Sequence, residues 1–367
     1  MTDSPPGRVA LVAVVDGNPY HRSAVKEALV SLYRVSEYGD AWHALPGLRA
    51  APPDVLMVDE LTRPGDGFGF VRSLRLEPAL ARIPVIVTSE SEPAALEAAA
   101  KQCGADAAVT KPYRRSVLIR TVTALRNRAV ELAWNDLPAT QRAALNGTVG
   151  AFNSLADAIA TGEPLPFGQV ADACRPLVDA VGRNDFKGIL AGVRDHDNYT
   201  YVHSIRVAAL LTLFGQAAGL RNGDHLMLAC GGLLHDAGKL TVPHEVLNKA
   251  GHLTEAEFAV MKSHVPETVR LLRATPGVPD SIITIAEQHH EKLNGEGYPN
   301  GLAGAQLNEL ARMAAIVDVF SALTDRRVYK PPMAAERALS IMSGQMKGHL
   351  DQHFLTLFKT MLLDAVT

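Results

Sequence analysis

The chain has 367 residues, which at about 100–200 residues per domain is enough for two domains or three. With 47% hydrophobic and 20% charged residues it has ordinary globular usage, and a disordered or collagen-like chain is excluded. Its 36 basic and 39 acidic residues leave a formal net charge of −3, so nothing favours broad electrostatic binding to a nucleic-acid polymer or an anionic membrane. No apolar run reaches the roughly 18–20 residues that a spanning helix needs. The N-terminus, with Asp3, Pro5 and Pro6 ahead of a short run from Val9 to Val15, lacks the basic and apolar regions of a signal peptide. Cys103, Cys174 and Cys230 are scattered and form no CxxC, so reduced thiols and a cytoplasmic location are expected.

The first part of the chain alternates short β-rich runs with helical stretches. Strands are predicted at Val9–Val15, Leu32–Ser36, Asp54–Val58, Val85–Thr88 and Ala107–Thr110, with helices such as Ser23–Leu32, Phe68–Leu76 and Ala94–Gln102 between them. This alternation indicates a doubly wound α/β domain whose parallel sheet is covered on both faces. Strand runs that are apolar without polar alternation fit such burial. Asp16, Asp59, Thr88 and Lys111 fall at the carboxyl ends of the proposed first, third, fourth and fifth strands, where doubly wound sheets place their sites.

With Val14-Val15-Asp16, Pro53-Asp-Val-Leu-Met-Val-Asp59, Val85-Ile-Val-Thr88 and Thr110-Lys111-Pro112, residues 7–125 resemble a response-regulator receiver. The resemblance implies that Asp59 is the phosphoacceptor, Thr88 a switch hydroxyl and Lys111 the counter-charge of the phosphate, and that a sensor histidine kinase is the donor. Receivers usually carry two adjacent acids after the first strand, the second binding Mg²⁺. Here Gly17 follows Asp16, and a missing carboxylate weakens a site for a hard cation.

From Arg114 to about Leu132 the pattern is one long helix, with Leu118, Val122, Leu125, Ala129 and Leu132 in a two-heptad seam. Two heptads leave open whether this helix packs only on its own sheet or runs outward as a dimerising element. Residues 126–165 are assigned as a helical linker, with Asn135 to Pro166 carrying one short helix among polar residues, glycines and prolines.

Residues 166–367 show no convincing strand and are expected to form an all-α domain. Helices are predicted at Gln169–Val181, Tyr199–Ala218, His225–Gly238, Glu255–Leu272, Ser281–His290, Glu309–Thr324 and Ala334–Met342. Of the 13 histidines only His21 and His43 precede residue 190, so the chemistry belongs to this half. His203, His235, Asp236, His264, His289, His290 and Asp318 form a candidate ligand set. The His235-Asp236 pair stands at a helix end, where both side chains can reach one cluster. Imidazole and carboxylate together suit Mn, Fe, Ni or Zn without demanding a thiolate. Two such ions activate water at neutral pH and stabilise the attacking and leaving oxygens of a phosphoryl displacement.

The surroundings of these residues carry more than the residues alone. Asp197-Asn-Tyr199-Thr-Tyr-Val-His203, His235-Asp236-Ala-Gly-Lys239 and Met261-Lys-Ser-His264 occur in that order. They are followed by His289-His290-Glu291-Lys-Leu-Asn-Gly295-Glu-Gly297-Tyr298-Pro299 and by Arg312-Met-Ala-Ala-Ile-Val-Asp318-Val-Phe-Ser-Ala-Leu-Thr324 with Arg327-Val-Tyr-Lys330. Over roughly residues 170–340 the chain resembles the HD-GYP family of HD-type metal-dependent phosphohydrolases.

That resemblance implies a cyclic di-GMP phosphodiesterase producing pGpG or GMP at two metal ions. Asp236 would bridge the ions, and Asp236 and Lys239 would be catalytic. Lys239, Arg327 and Lys330 match positions that contact substrate phosphate. The turn Gly297-Tyr298-Pro299 matches a loop implicated in docking diguanylate cyclase proteins; read structurally, it holds His289 and His290 in place. Tyr199 stands where some members carry a Glu for a third metal, so two ions are expected. Asn294, Ser321 and Thr268 replace the usual Asp, Asp and Gly without removing a ligand. The rival reading is a catalytically weak sensor that binds cyclic di-GMP, or a partner-binding module built on the turn.

Overall fold

Five short runs, the first, third and fourth rich in Val, Leu, Ile and Met, form the parallel strands β1 (Leu11–Val15), β2 (Arg34–Tyr38), β3 (Val55–Asp59), β4 (Val85–Ser89) and β5 (Ala107–Thr110), in the order β2-β1-β3-β4-β5. The computed structural model describes residues 10–366 apart from 31, 195, 197, 248, 250 and 326–332. β3 and β4 are buried at every position, as central strands with helices on both faces must be. Register pairs Asp59 with Thr88 across β3 and β4, which puts the proposed phosphoacceptor and switch hydroxyl side by side.

The covering helices are α1 (Pro19–Leu29), α2 (Ala41–Ala50), α3 (Gly67–Leu76), α4 (Pro93–Cys103) and α5 (Arg115–Ala133). Asn18, Asp40 and Asp66 cap the first three, each side chain accepting a backbone N–H of the first turn. β2 begins two residues later than the sequence predicts, and α2 was not expected. The edge strand β2 is mostly exposed or half-buried, so its apolar pattern is weak, and α2 carries Pro46 inside it. In α5, Leu118 and Val122 are buried in the sheet's own core while Leu132 is 58% exposed. The first heptad of the seam is thus used within the receiver.

The chain divides into two compact units, Met1–Ala129 with Pro243–Glu245, and Val130–Val242 with Val246–Thr367. After α5 come α6 (Ala139–Thr161), α7 (Phe167–Gly182), α8 (Phe186–Val193), α9 (Tyr199–Ala217), α10 (Asn222–Leu234) and α11 (His244–Leu247). They are followed by α12 (Glu255–Lys262), α13 (His264–Ala274), α14 (Asp280–Gln288), α15 (Glu309–Thr324), α16 (Ala335–Gly344) and α17 (Gln352–Val366). The expected short helix after Asn135 is instead the 23-residue α6, which buries Leu145, Phe152 and Leu155. Its Gly147 lies where an added Cβ would come within 3.0 Å of the Ala173 carbonyl oxygen, so that glycine marks a helix crossing rather than a break.

α9 is buried along most of its length and α15 nearly so. Their apolar residues Val207, Leu211, Phe214, Ile316 and Phe320 share a core with Phe358 of α17, a helix the sequence reading left out. The predicted helix Glu255–Leu272 is two helices. Pro266 has no N–H to give the carbonyl one turn back and clashes with it inside a helix, so α12 ends at Lys262 and α13 restarts with Pro266 in its first turn. Among the described residues no helix is long and apolar enough to cross a membrane.

Candidate metal centre and receiver pocket

The break at Ser263 places His264 at the first position of α13, and helix ends place two more histidines of the set. His235 follows the last residue of α10, and His289 that of α14. Carbonyls in a last helical turn have no amide partner within the helix. The imidazoles take them: Nδ1 of His235 bonds the Gly232 oxygen at 2.8 Å, that of His264 the Met261 oxygen at 2.7 Å, and that of His289 the Ala286 oxygen at 2.9 Å. A carbonyl only accepts, so each ring carries a hydrogen on Nδ1 and turns Nε2 the other way.

Those Nε2 atoms converge on Asp236. Its Oδ2 lies 3.1 Å from His235 Nε2 and 3.6 Å from His203 Nε2, and its Oδ1 lies 3.2 Å from His264 Nε2 and 3.6 Å from His289 Nε2. Asp318 completes the first side, with Oδ1 3.0 Å from His203 Nε2, and reaches His290 Nδ1 with Oδ2 at 3.8 Å. Two four-residue donor sets result: His203, His235, Asp236 and Asp318, and Asp236, His264, His289 and His290, the ligand atoms of each set within 4.8 Å of one another. All seven predicted ligand positions are therefore brought together, and Asp236 is the residue common to both sets.

The electrostatics point the same way. His235 Nε2, Asp236 Oδ1, His264 Nε2 and His289 Nε2 are buried and make no hydrogen bond. A buried polar atom without a partner costs about 1–3 kcal/mol, and four aimed at one place fit a cation. Burial alone would raise the Asp236 carboxyl, but His235 and Lys239 override it and hold the group well below the usual carboxylate range. Burial likewise opposes ionisation of Asp318, and the neighbouring His203 and His235 override it and hold the group well below the usual range. Burial holds His289 and His290 down as neutral rings. At His235, burial is outweighed by Asp236 and Asp318, which push the ring up to about 10.

Two small residues let the backbone come close enough. A Cβ on Gly238 would sit 2.1 Å from the carbonyl oxygen of His264, so only glycine lets the His-Asp turn lie on α13. Thr268, where the resemblance leads one to expect Gly, bonds both sides of that contact. Its hydroxyl accepts the Gly238 N–H at 2.8 Å and donates to the His264 oxygen at 2.8 Å. Lys239 Nζ is 2.5 Å from Asp236 Oδ2. Arg327 and Lys330 lie outside the described residues.

The turn that contains Gly297, Tyr298 and Pro299 is braced from below by Glu291, to which sequence reasoning assigned no role. Its buried carboxylate accepts the N–H of Asn300 at 2.6 Å and of Leu302 at 3.0 Å. A Cβ on Gly297 would lie 2.4 Å from Glu291 Cα, so the chain passes directly over that residue. Tyr298 comes to rest with its ring 4.8 Å from that of His290.

In the first unit, Lys111 Nζ bonds Asp59 Oδ2 at 2.6 Å and Asp16 Oδ2 at 2.7 Å. Thr88 Oγ1 is 3.5 Å from Asp59 Oδ2, so the four predicted receiver residues meet. His21, which the sequence reading set aside, joins them with Nδ1 3.2 Å from Asp16 Oδ2 and 2.8 Å from Lys111 Nζ. Standing ahead of the predicted helix Ser23–Leu32, it carried no signal.

Residues 12–123 match the family described as the response regulator receiver domain, and residues 191–354 match the HD domain. Over 171 residues the chain is 39% identical to a cyclic di-GMP phosphodiesterase of Pseudomonas aeruginosa, covering 46% of this chain and 41% of the relative. A cyclic di-GMP phosphodiesterase response regulator of Xanthomonas campestris pv. campestris is 27% identical over 338 residues, 91% of this chain and 83% of that protein. The chain thus spans less than half of the first relative and most of the second. The structure of an HDG"Y"P protein from Bdellovibrio bacteriovorus shares the fold, with a TM-score of 0.52 at 20% identity over 67% of this chain and 79% of the other.

Proposed function

From the premise that this chain joins a response regulator receiver domain to an HD domain, we propose that it hydrolyses cyclic di-GMP at a binuclear metal centre under control of its receiver. The observation that carries the reading is the set of four buried, unbonded ligand atoms on His235, Asp236, His264 and His289. A site that only recognised a nucleotide would have no use for them. His203, His235, Asp236 and Asp318 would hold one divalent ion, and His264, His289 and His290 with the other oxygen of Asp236 the second. Fe, Mn, Ni and Zn all suit this donor set. When bound, the pair supplies water activation and charge stabilisation for phosphodiester displacement.

The chain's own residues do the rest. Lys239, anchored on Asp236 with its side chain 20% exposed, offers an ammonium to the substrate phosphate; Arg327 and Lys330 are proposed to add two more cations. Fixed positive charge of this kind lowers the cost of the charge that develops on the phosphoryl oxygens. Tyr298, its ring tilted against that of His290, closes one side and presents the turn to partners such as diguanylate cyclase proteins. In the receiver, Asp59 takes a phosphoryl group from a sensor histidine kinase, with Lys111 and Thr88 as its supports. A cytoplasmic location would suit this substrate and phosphodonor.

The test is direct. Protein reconstituted with Mn²⁺ or Fe²⁺ is incubated with cyclic di-GMP, and in parallel with a mixed guanine–adenine cyclic dinucleotide, and the nucleotides are separated by chromatography. The expected result is linear pGpG or GMP, formed faster from cyclic di-GMP. Intact cyclic di-GMP in the presence of two bound ions per chain would overturn the reading in favour of a sensor.

A further inference from the structure

Of the histidines whose Nε2 faces Asp236, His203 differs from the other three in its place on a helix. His235, His264 and His289 sit at helix junctions, where a spare carbonyl fixes the ring. His203 lies inside α9, whose carbonyls are committed to the helix's own amides. We propose that Asp325 does for His203 what the backbone does for the others, and is a positioning residue of the metal centre. The proposal rests on the metal-centre reading above.

Asp325 follows Thr324, the last residue of α15, the helix that carries Asp318. Its N–H bonds the Ser321 carbonyl oxygen at 2.7 Å, and its Oδ2 accepts Nδ1–H of His203 at 2.9 Å. The other oxygen is held by Arg206 Nη1, while Arg206 Nη2 donates to Thr324 Oγ1 at 2.8 Å. α9 therefore supplies both the ring and, one turn on, the cation that holds the carboxylate in place. The carboxylate is 5% exposed and the imidazole 4%, so water does not compete for the bond. With Arg206 on its other oxygen, Asp325 accepts from His203, so Nδ1 carries a hydrogen and the ring presents Nε2 to Asp318 at 3.0 Å and to Asp236 at 3.6 Å. Outer carboxylates of this kind fix the tautomer and raise the basicity of a ligating imidazole.

A simpler role for Asp325 is an ion pair tying α9 to α15, and two substitutions separate the two. Asp325→Ala and Asp325→Asn both abolish the pair with Arg206, but only the Asn amide oxygen can still accept Nδ1–H. Metal affinity of the full chain is measured with Mn²⁺ in competition with a chromogenic chelator, alongside metal content per chain and circular dichroism. The expected result is a fall in affinity for one of the two ions of about 10–100-fold in Asp325→Ala, with most of that affinity kept in Asp325→Asn. Unchanged affinity in both variants, or equal losses in both, would overturn the proposal. If Asp325→Ala does not fold, the Asn variant decides: affinity near wild type with lowered thermal stability supports the proposal, and a loss as large as 10-fold or more refutes it. Failure of wild-type protein to bind Mn²⁺ at all would instead overturn the metal-centre reading.

Discussion

The receiver pocket and the histidine–aspartate centre are both built around two buried carboxylates, but they resolve the charge differently. In the receiver, the ammonium of Lys111 stands between Asp16 and Asp59, within 2.7 Å of each, and one cation of the chain's own offsets half of the buried negative charge. In the centre, Lys239 meets only one oxygen of Asp236, and the remaining partners are imidazoles whose Nδ1 hydrogens are already spent elsewhere. Lone pairs face carboxylate oxygens there, an arrangement that only a shared proton or a cation relieves. Where a flexible side chain can carry its own charge into a pocket, part of the repulsion is relieved without an ion. Where rings are locked by helix-end carbonyls, a bound ion has more to relieve.

The largest break in this contrast comes from Asp236→Ala. It removes the one residue shared by both donor sets, so metal retention should be lost and hydrolysis should fall at least about 10³-fold, the upper range for loss of a single stabilising group. The helical fold should persist by circular dichroism; full activity would sink the assignment. Next in size is metal removal. Ions present at 1,000 times their dissociation constant stabilise a fold by about 4 kcal/mol, so a chelator should lower the melting transition of the helical unit and leave that of the receiver in place. Because His235 is pushed up to about 10 by Asp236 and Asp318, an ion must displace a proton there, and retention should weaken as pH falls.

Lys111→Ala tests the other side of the comparison. It leaves two buried carboxylates without their cation and should cost the receiver about 3 kcal/mol, measured by denaturant unfolding, with partial recovery in Mg²⁺. The smallest effect sharpens the contrast by moving the receiver toward the centre. A Cβ on Gly17 would meet nothing nearer than the Gly39 carbonyl oxygen at 3.8 Å, so Gly17→Asp should fit. It should tighten Mg²⁺ binding on the order of tenfold, the effect of one added ligand charge, and speed labelling of Asp59 by acetyl phosphate. No change in either would mean that Gly17 is not what limits the pocket.

The two regions were also unequally legible. The receiver's strands stand out because central parallel strands are short, apolar and punctuated, whereas β2 and α2, at the exposed edge, have no such contrast. α6 was shortened in the reading because Gly147 and Gly150 look like loop residues until α7 is seen lying on the first of them. The split of Glu255–Leu272 was visible in Pro266, and it matters because it turns His264 from a mid-helix residue into a helix-start residue with a carbonyl to hold.

By itself, the sequence determined which residue types were available and in what order. Seven histidines and aspartates in motif spacing, and four receiver residues at strand ends, all reappear in the structure as neighbours. Only the tertiary structure decided what orients them. Thr268 bonding Gly238, Glu291 under the Gly297 turn, His21 beside Asp16, and Asp325 behind His203 join residues whose pairing no periodicity encodes. The reason is physical. Local pattern reports which face of an element is buried, but a hydrogen bond between distant elements depends on where their ends meet, and that is settled only when the helices pack.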